Sequence, residues 1–219
     1  MNVFDIVGPI MIGPSSSHTA GAARIGKLAR QLFGGTITEA EIKLHGSFAK
    51  TYKGHGTDRA LVGGILGMNP DDEQIRDSLM IAEKKGLKVT IFPTSIEDAH
   101  PNTAVITLKD DNGKTVVVQG ASTGGGNILI SRINGLEVEI TGQYDTLIIE
   151  HHDEPGVVGD VAEYMGDFEI NLCSMKLSRT KRGGTAVLTV EVDGRVDSNL
   201  SKNIESLHGV TKCTLLKVF

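Results

Sequence analysis

The chain has 219 residues, 39% of them hydrophobic and 22% charged, with a formal net charge of −5; that length can bury a proper core as one large domain or two small ones. The acidic balance, the lack of Trp and an aromatic content of 4% argue against a nucleic-acid partner, which needs basic blocks and stacking platforms. No apolar run approaches the roughly 18–20 residues that cross a bilayer. The opening MNVFDIVGPIMIG has no basic start of a secretion signal and reads as a first structural segment, so a cytoplasmic location is expected. Two cysteines, Cys173 and Cys213, cannot by themselves hold a four-cysteine zinc or iron–sulfur site.

After the loop IGPSSSHTAG, apolar residues recur at Ile25, Leu28, Ala29 and Leu32, one stripe of a helix that Gly34-Gly35 ends. Ala40, Ile42 and Leu44 alternate with Glu41 and Lys43, a half-buried strand entering His45-Gly46-Ser47. A helix is expected from Thr57 to Leu66, capped by Thr57 or Asp58. Another starts at Pro70-Asp71-Asp72-Glu73 and ends near Lys84-Lys85, with charges that suit its dipole. Leu87–Phe92 reads as a strand. Two hairpins follow, Ala104–Leu108 with Thr115–Val118 and Ile128–Ile133 with Leu136–Ile140, turning at Asp111-Asn112-Gly113 and Asn134-Gly135.

From about Thr146 the order becomes βαββαβ. Its strands are Leu147–Ile149, Ile170–Leu177, Ala186–Val192 and Val210–Val218. One helix is striped by Val157, Val158, Val161, Ala162 and Met165, the other by Leu200, Ile204 and Leu207. Cys173 alternates with Met175 and Leu177 and is expected on an inward strand face, as a buried thiol. The order and the stretch HDEPGVVGDVAEYMGDFEINL (152–172) resemble an ACT domain, a ferredoxin-like amino-acid-sensing module that pairs in dimers. The turn Asp153-Glu154-Pro155-Gly156 feeds a helix N-terminus, whose N–H groups suit a carboxylate. The candidate ligand contacts are Asp153, Pro155, Gly156, Val157 and Asn171. Equally, Pro-Gly can simply make the turn, and Asn171 can simply satisfy backbone. The strand order usual for this topology sets Cys173 and Cys213 on opposite edges. The expected domains are 1–144 and 145–219, an α+β chain overall.

Four polar clusters mark the first domain: Ser15-Ser16-Ser17-His18-Thr19, HGSFAKTYKGHGTD (45–58), HPNT (100–103) and GASTGGGN (120–127). Each joins small hydroxyl, amide or imidazole groups to glycine or proline turns, which allows close approach of backbone to a ligand. Each also has a plainer explanation: Ser17 can cap the following helix, His45 can end a strand, Asn102 can hold a turn, and Gly124–Gly126 can be a bulged strand entry. Gly120–Gly126 is no P-loop, because no Gly-Lys-Ser/Thr follows. The histidines lack close metal-ligand spacing, so no metal site is expected in this chain.

The four clusters followed by the ACT stretch resemble the β subunit of iron–sulfur-dependent L-serine dehydratase (L-serine ammonia-lyase) over essentially the whole chain. The first domain of that family is α/β and similar to the allosteric substrate-binding domain of some phosphoglycerate dehydrogenases. The resemblance implies conversion of L-serine to pyruvate and ammonia, with a place in amino-acid metabolism and gluconeogenesis. It also implies a [4Fe–4S] cluster ligated by a separate α subunit rather than by this chain, and a homodimer through the ACT domain. Expulsion of the β-hydroxyl then falls to open iron, and the β chain supplies grips for the substrate. Ser16, Ser17, His18 and Thr19 are the candidates for a catalytic site shared with the α chain. His45, Ser47, Lys50, His55, Thr57, Asp58, His100, Asn102, Thr103, Gly124 and Gly125 are the candidate substrate-binding residues. The alternative is a non-catalytic module that senses serine and dimerises through its ACT domain.

Overall fold

The structure, a computed structural model, describes residues 10–197 and 199–218. Most of the expected first segment therefore lies outside the described residues. The chain forms two compact units, one ending at Gly135 and the other beginning at Leu136.

In the first unit the stripe of Ile25, Leu28, Ala29 and Leu32 is buried on helix α1, Ala22–Phe33, which ends where Gly34 turns to φ 55°. The half-buried strand is β1, Glu39–His45, with Ala40, Ile42 and Leu44 fully buried. It pairs parallel with β2, Lys88–Thr94, and antiparallel with β3, Thr103–Lys109. β4, Thr115–Gly124, and β5, Asn127–Ile133, extend the ladder in the order β2-β1-β3-β4-β5.

Helix α2, Gly46–His55, was not expected, because glycines open and interrupt it and its apolar face is carried by Phe48 alone. Helix α3, Thr57–Ile65, is buried along nearly its whole length and crosses α1 at glycines. A Cβ on Gly26 would lie 2.2 Å from the Leu61 carbonyl oxygen, and one on Gly64 would lie 2.1 Å from that of Ala23. Neither Thr57 nor Asp58 caps α3; the N-cap is Gly56 at φ 70°, with no side-chain cap bond. The helix expected after Pro70 is two pieces, a 3-10 turn Glu73–Asp77 capped by Asp72 and then α4, Ser78–Lys84. The break falls where Asp77 leaves helical geometry and the buried Ser78 hydroxyl donates to the Arg59 carbonyl at 2.7 Å.

The second unit opens with β6, Leu136–Ile140, after Asn134 and Gly135 have both taken positive φ as the hairpin turn requires. Then come β7 (Asp145–His152), α5 (Val157–Asp167), β8 (Leu172–Arg179), β9 (Thr185–Val192), α6 (Asn199–Glu205) and β10 (Val210–Leu216). The four strands β10-β7-β9-β8 make an antiparallel sheet. Leu147, Ile149, Leu188, Val190 and Val192 pack with Val161, Met165, Leu200 and Ile204 of the two helices in one apolar core. Ala162 lies outside it and is exposed. On the alternate register of β9, Glu191 is buried yet satisfied. Its carboxylate accepts from the Thr141 N–H at 2.7 Å, the Thr141 hydroxyl at 2.8 Å and the Ser174 hydroxyl at 3.2 Å.

Cys173, Met175 and Leu177 are exposed, against the expectation of an inward face. Met175 and Leu177 pair with Val190 and Leu188, so they share the core side of the sheet. β8 is an edge strand, however, and alternation does not distinguish an edge from an interior strand. Cys173 Sγ donates to Asp193 at 2.9 Å, a bond that pushes its pKa up to about 11. Cys213 is buried on β10, and burial followed by the charge of Glu205 raises it to about 12.

Candidate functional site

The Ser15–Thr19 loop is one turn of π-helix, Ser16–Gly21, running directly into α1. Such wide turns are uncommon and often sit at functional sites. Ser15, not Ser17, caps it: its Oγ accepts from the His18 N–H at 3.3 Å and lies 3.3 Å from His18 Nδ1. The turn carries His18 and Thr19 inward to 8% and 2% exposure, while Ser16 and Ser17 remain half-buried. Gly13 closes over Thr19 so tightly that a Cβ there would sit 2.3 Å from the threonine hydroxyl.

His18 is the hub. Its Nε2 lies 3.2 Å from Ser47 Oγ, and its ring packs edge-on against Phe48 and His55, with centroids 5.2 and 4.8 Å away. Burial, followed by the charge of His55, lowers its pKa below the usual imidazole value, and hydrogen bonding with Ser47 opposes this only in part. The surroundings of the ring thus favour its neutral form.

The second cluster begins at the N-terminus of α2. Gly46 adopts φ 58° because the chain passes against Pro101, and a Cβ there would meet the Pro101 carbonyl oxygen at 2.5 Å and its Cα at 2.7 Å. That carbonyl accepts from the N–H groups of Ser47 at 2.7 Å and Phe48 at 3.4 Å, which ties HPNT to the helix start. Asn102 in turn joins the fourth cluster. Its carbonyl accepts from the Ser122 N–H at 3.0 Å, and its Nδ2 donates to the Ser122 carbonyl at 3.4 Å. Gly21 lies on Ser122, where a Cβ would be 2.1 Å from Oγ, and Arg24 Nη1 donates to the Gly126 carbonyl at 2.9 Å. The circuit from the first cluster back to itself is closed, and all four clusters meet in one region of the first unit.

The candidate residues contribute unequally. His45 Nδ1 accepts from the Ile96 N–H at 3.0 Å, the strand-ending role open to it from sequence. His100 is exposed and its Nδ1 accepts from the Asn102 N–H at 3.1 Å; the Thr103 hydroxyl donates to the His100 carbonyl at 2.6 Å. Asp58 Oδ1 accepts the Arg59 N–H at 2.8 Å, and Lys50 is exposed with no hydrogen bond or ion pair to another described residue. Gly124 and Gly125 form the β4–β5 turn at φ 115° and 60°. Three side-chain oxygens or nitrogens of the circuit are buried without a partner, Thr19 Oγ1, Asn102 Oδ1 and Arg24 Nε, as is Thr57 Oγ1 at the start of α3. Native proteins rarely leave such atoms unsatisfied without a reason.

Sequence reasoning missed the cations here. Lys53, Arg59 and Arg76 line a 260 Å³ cavity with Gly13, Thr19 and His55. Lys53 and Arg59 flank the Gly54-His55-Gly56 step of a stretch already marked as polar, a usable signal; nothing in sequence points to Arg76. In the second unit the Asp153 carboxylate is already engaged, by Arg179 at 2.8 Å and the Gly183 N–H at 2.9 Å. Asn171 donates to Asp193 at 2.5 Å. Gly156, at φ 103°, leaves α5 without a side-chain cap, and Pro155 and Val157 flank it.

This chain's own donors do not fit an iron–sulfur cluster. Its two cysteines sit on the opposite edge strands β8 and β10, and the described residues contain no group of three His, Cys, Asp or Glu arranged to hold a metal.

Fold and site together define a two-unit α+β protein with a histidine-centred polar site in the first unit and, over residues 146–209, a match to the ACT domain family. Residues 2–92 match the serine dehydratase beta chain family. A "Probable L-serine dehydratase, beta chain" of Bacillus subtilis is 42% identical over 97% of this chain and 96% of its own length. The "L-serine dehydratase, beta chain" of Peptoniphilus asaccharolyticus is 40% identical over 99% and 98%. The D-3-phosphoglycerate dehydrogenase of Methanocaldococcus jannaschii is 26% identical over 90% of this chain but only 37% of its own length. The chain belongs to the L-serine dehydratase beta chain family, and it is a lyase subunit of that kind.

Proposed function

We propose that the chain acts with a separate, cluster-bearing α subunit to convert L-serine to pyruvate and ammonia, and that it is inactive alone. The meeting of all four polar clusters in one region, with His18 held between the first two, is the observation that carries this reading. Buried, biased towards its neutral form and held on both ring nitrogens by Ser15 and Ser47, His18 orients the substrate or takes part in proton transfer. Ser16 and Ser17, next to it and without side-chain partners among the described residues, donate to the substrate carboxylate. Thr19, of the same set, faces the adjoining cavity. Ser47, His55, Asn102 and Thr103 form the supporting shell. His45, Lys50, Thr57, Asp58, His100, Gly124 and Gly125 stay as substrate-side candidates of lesser weight.

Functional domains of 1–144 and 145–219, a cytoplasmic setting and a homodimer through the ACT domain belong to the same reading. The dimer is supported by the open edge of β8, where Met175 and Leu177 are 37% and 46% exposed. An effector in the ACT domain would contact Asp153, Pro155, Gly156, Val157 and Asn171, with Asp153 and Asn171 first giving up their present partners. The alternative of a non-catalytic sensing module has weaker support, since nearly the whole chain aligns with dehydratase beta chains.

The test is reconstitution. The chain mixed with its α partner should release pyruvate from L-serine, and the chain alone should release none. Pyruvate formation by the α partner at an undiminished rate without this chain would overturn the proposal.

A further inference from the structure

A neutral imidazole carries one N–H and one bare nitrogen, and the partners of each decide which is which. His18 is 8% exposed, with Ser15 Oγ 3.3 Å from Nδ1 and Ser47 Oγ 3.2 Å from Nε2. A hydroxyl can give or receive, so these two distances leave the tautomer open. The remaining hydrogen bonds close it.

Ser15 Oγ already accepts from the His18 backbone N–H at 3.3 Å, as the cap of the π-turn. The serine has one hydrogen of its own to give, and His18 Nδ1 is its acceptor among the described residues. With the ring proton on Nδ1 instead, two donors would converge on one serine oxygen. The serine hydrogen would then find no acceptor among the described residues. Networks that satisfy every donor are the ones native proteins keep.

A second observation comes from the other nitrogen. Burial, then the charge of His55, lower the pKa of the ring, whereas bonding to the Ser47 backbone raises it. A backbone group that favours the protonated ring is an accepting carbonyl, because an N–H would disfavour the charge. A carbonyl cannot donate. The nitrogen on the Ser47 side, Nε2, is therefore the one that carries hydrogen.

We infer that Ser15 is a positioning residue that sets the tautomer of His18: Nδ1 is bare and accepts from the Ser15 hydroxyl, and Nε2 is protonated and donates to Ser47. Ser15 is the one member of the Ser15–Thr19 cluster outside the catalytic candidates, and it acts through His18. The consequence for catalysis rests on the dehydratase reading. In that reading the atom able to take up a proton is Nδ1, on the Ser15 side of the ring, whereas Nε2 can only give one.

The test is long-range proton–nitrogen NMR of the full-length chain with its histidines labelled with nitrogen-15, at mildly alkaline pH, where the ring is neutral. A His18→Gln variant identifies the His18 signals among the seven histidines. The expected spectrum gives Nε2 the shift of a protonated ring nitrogen and Nδ1 that of a bare one. Ser15→Ala should draw the two shifts towards each other as both tautomers become populated, and Ser15→Thr, which keeps the hydroxyl, should restore the native pair. A cap that served stability alone would leave the shifts in place. Circular dichroism checks that the variants are folded, and the native spectrum decides the tautomer without them. A protonated Nδ1 in the native chain, or native shifts in folded Ser15→Ala, would overturn the inference. In the reconstituted complex Ser15→Ala should lower kcat about tenfold with KM little changed, less than the roughly 10²–10⁴-fold of a whole acid–base group; a native kcat would overturn the positioning role. The spectra need no α subunit, so their failure is separate from failure of the dehydratase assignment.

Discussion

Replacing Gly46 by Ala tests how the second and third polar clusters are joined. The position has φ 58°, where an L-residue costs about 1–2 kcal/mol relative to glycine. Its Cβ would also stand 2.5 Å from the Pro101 carbonyl oxygen and 2.7 Å from Pro101 Cα, backbone atoms that cannot rotate away. Overpacking of this sort adds roughly 1–3 kcal/mol, for about 2–5 kcal/mol in all. Relief by moving Pro101 would stretch its 2.7 Å bond from the Ser47 N–H, and with it the 3.2 Å contact between Ser47 and His18. Gly113→Ala is the matched control. Its φ is 86° and no atom lies within 4 Å of the added carbon, so it carries strain without the clash. Urea unfolding followed by circular dichroism should place Gly46→Ala at a clearly lower midpoint than Gly113→Ala. Equal midpoints would show that the close approach at Pro101 contributes nothing.

Other consequences are briefer. Ser15→Ala removes the cap of the π-turn and should destabilise the first unit by about 0.5–2 kcal/mol in the same unfolding assay. His18 has a depressed pKa, so the folded state binds fewer protons than the unfolded chain below the ordinary imidazole pKa of 6.5. Its contribution to stability is present above that value and is lost as pH falls through the folded pKa; imidazole NMR shifts should show a midpoint below 6.5, and one above 6.5 would refute the environment described for the ring. With pKa values near 11 and 12, Cys173 and Cys213 should react slowly with alkylating agents at pH 7, Cys213 only after urea exposes it. Mass spectrometry of the labelled chain reads both.

Much of the fold was legible because its signals are local. The stripe of α1, the alternation of β1, the Asn134-Gly135 turn and the βαββαβ order of the second unit each follow from neighbouring residues. What escaped depends on distant partners. Helix α2 forms because Pro101, far along the chain, receives its first N–H groups. The exposure of Cys173, Met175 and Leu177 depends on β8 lying at the sheet edge, which only strand order decides. The four clusters were visible as composition, and Ser47 and His18 were both among the named residues, but their meeting across 29 residues was not readable. Arg76 reaches the cavity from a turn that the sequence marks only as a helix start.

The central claim is that His18, held by Ser15 and Ser47, serves the dehydration of L-serine in a complex with an α subunit. The most direct measurement is the kcat for pyruvate release by the reconstituted complex carrying His18→Ala, with complex formation checked by size-exclusion chromatography. A general acid–base group contributes about 10²–10⁴-fold, so the account predicts a fall of at least tenfold with the assembly intact, even if the ring only orients substrate. An intact complex turning over at the native rate would contradict it.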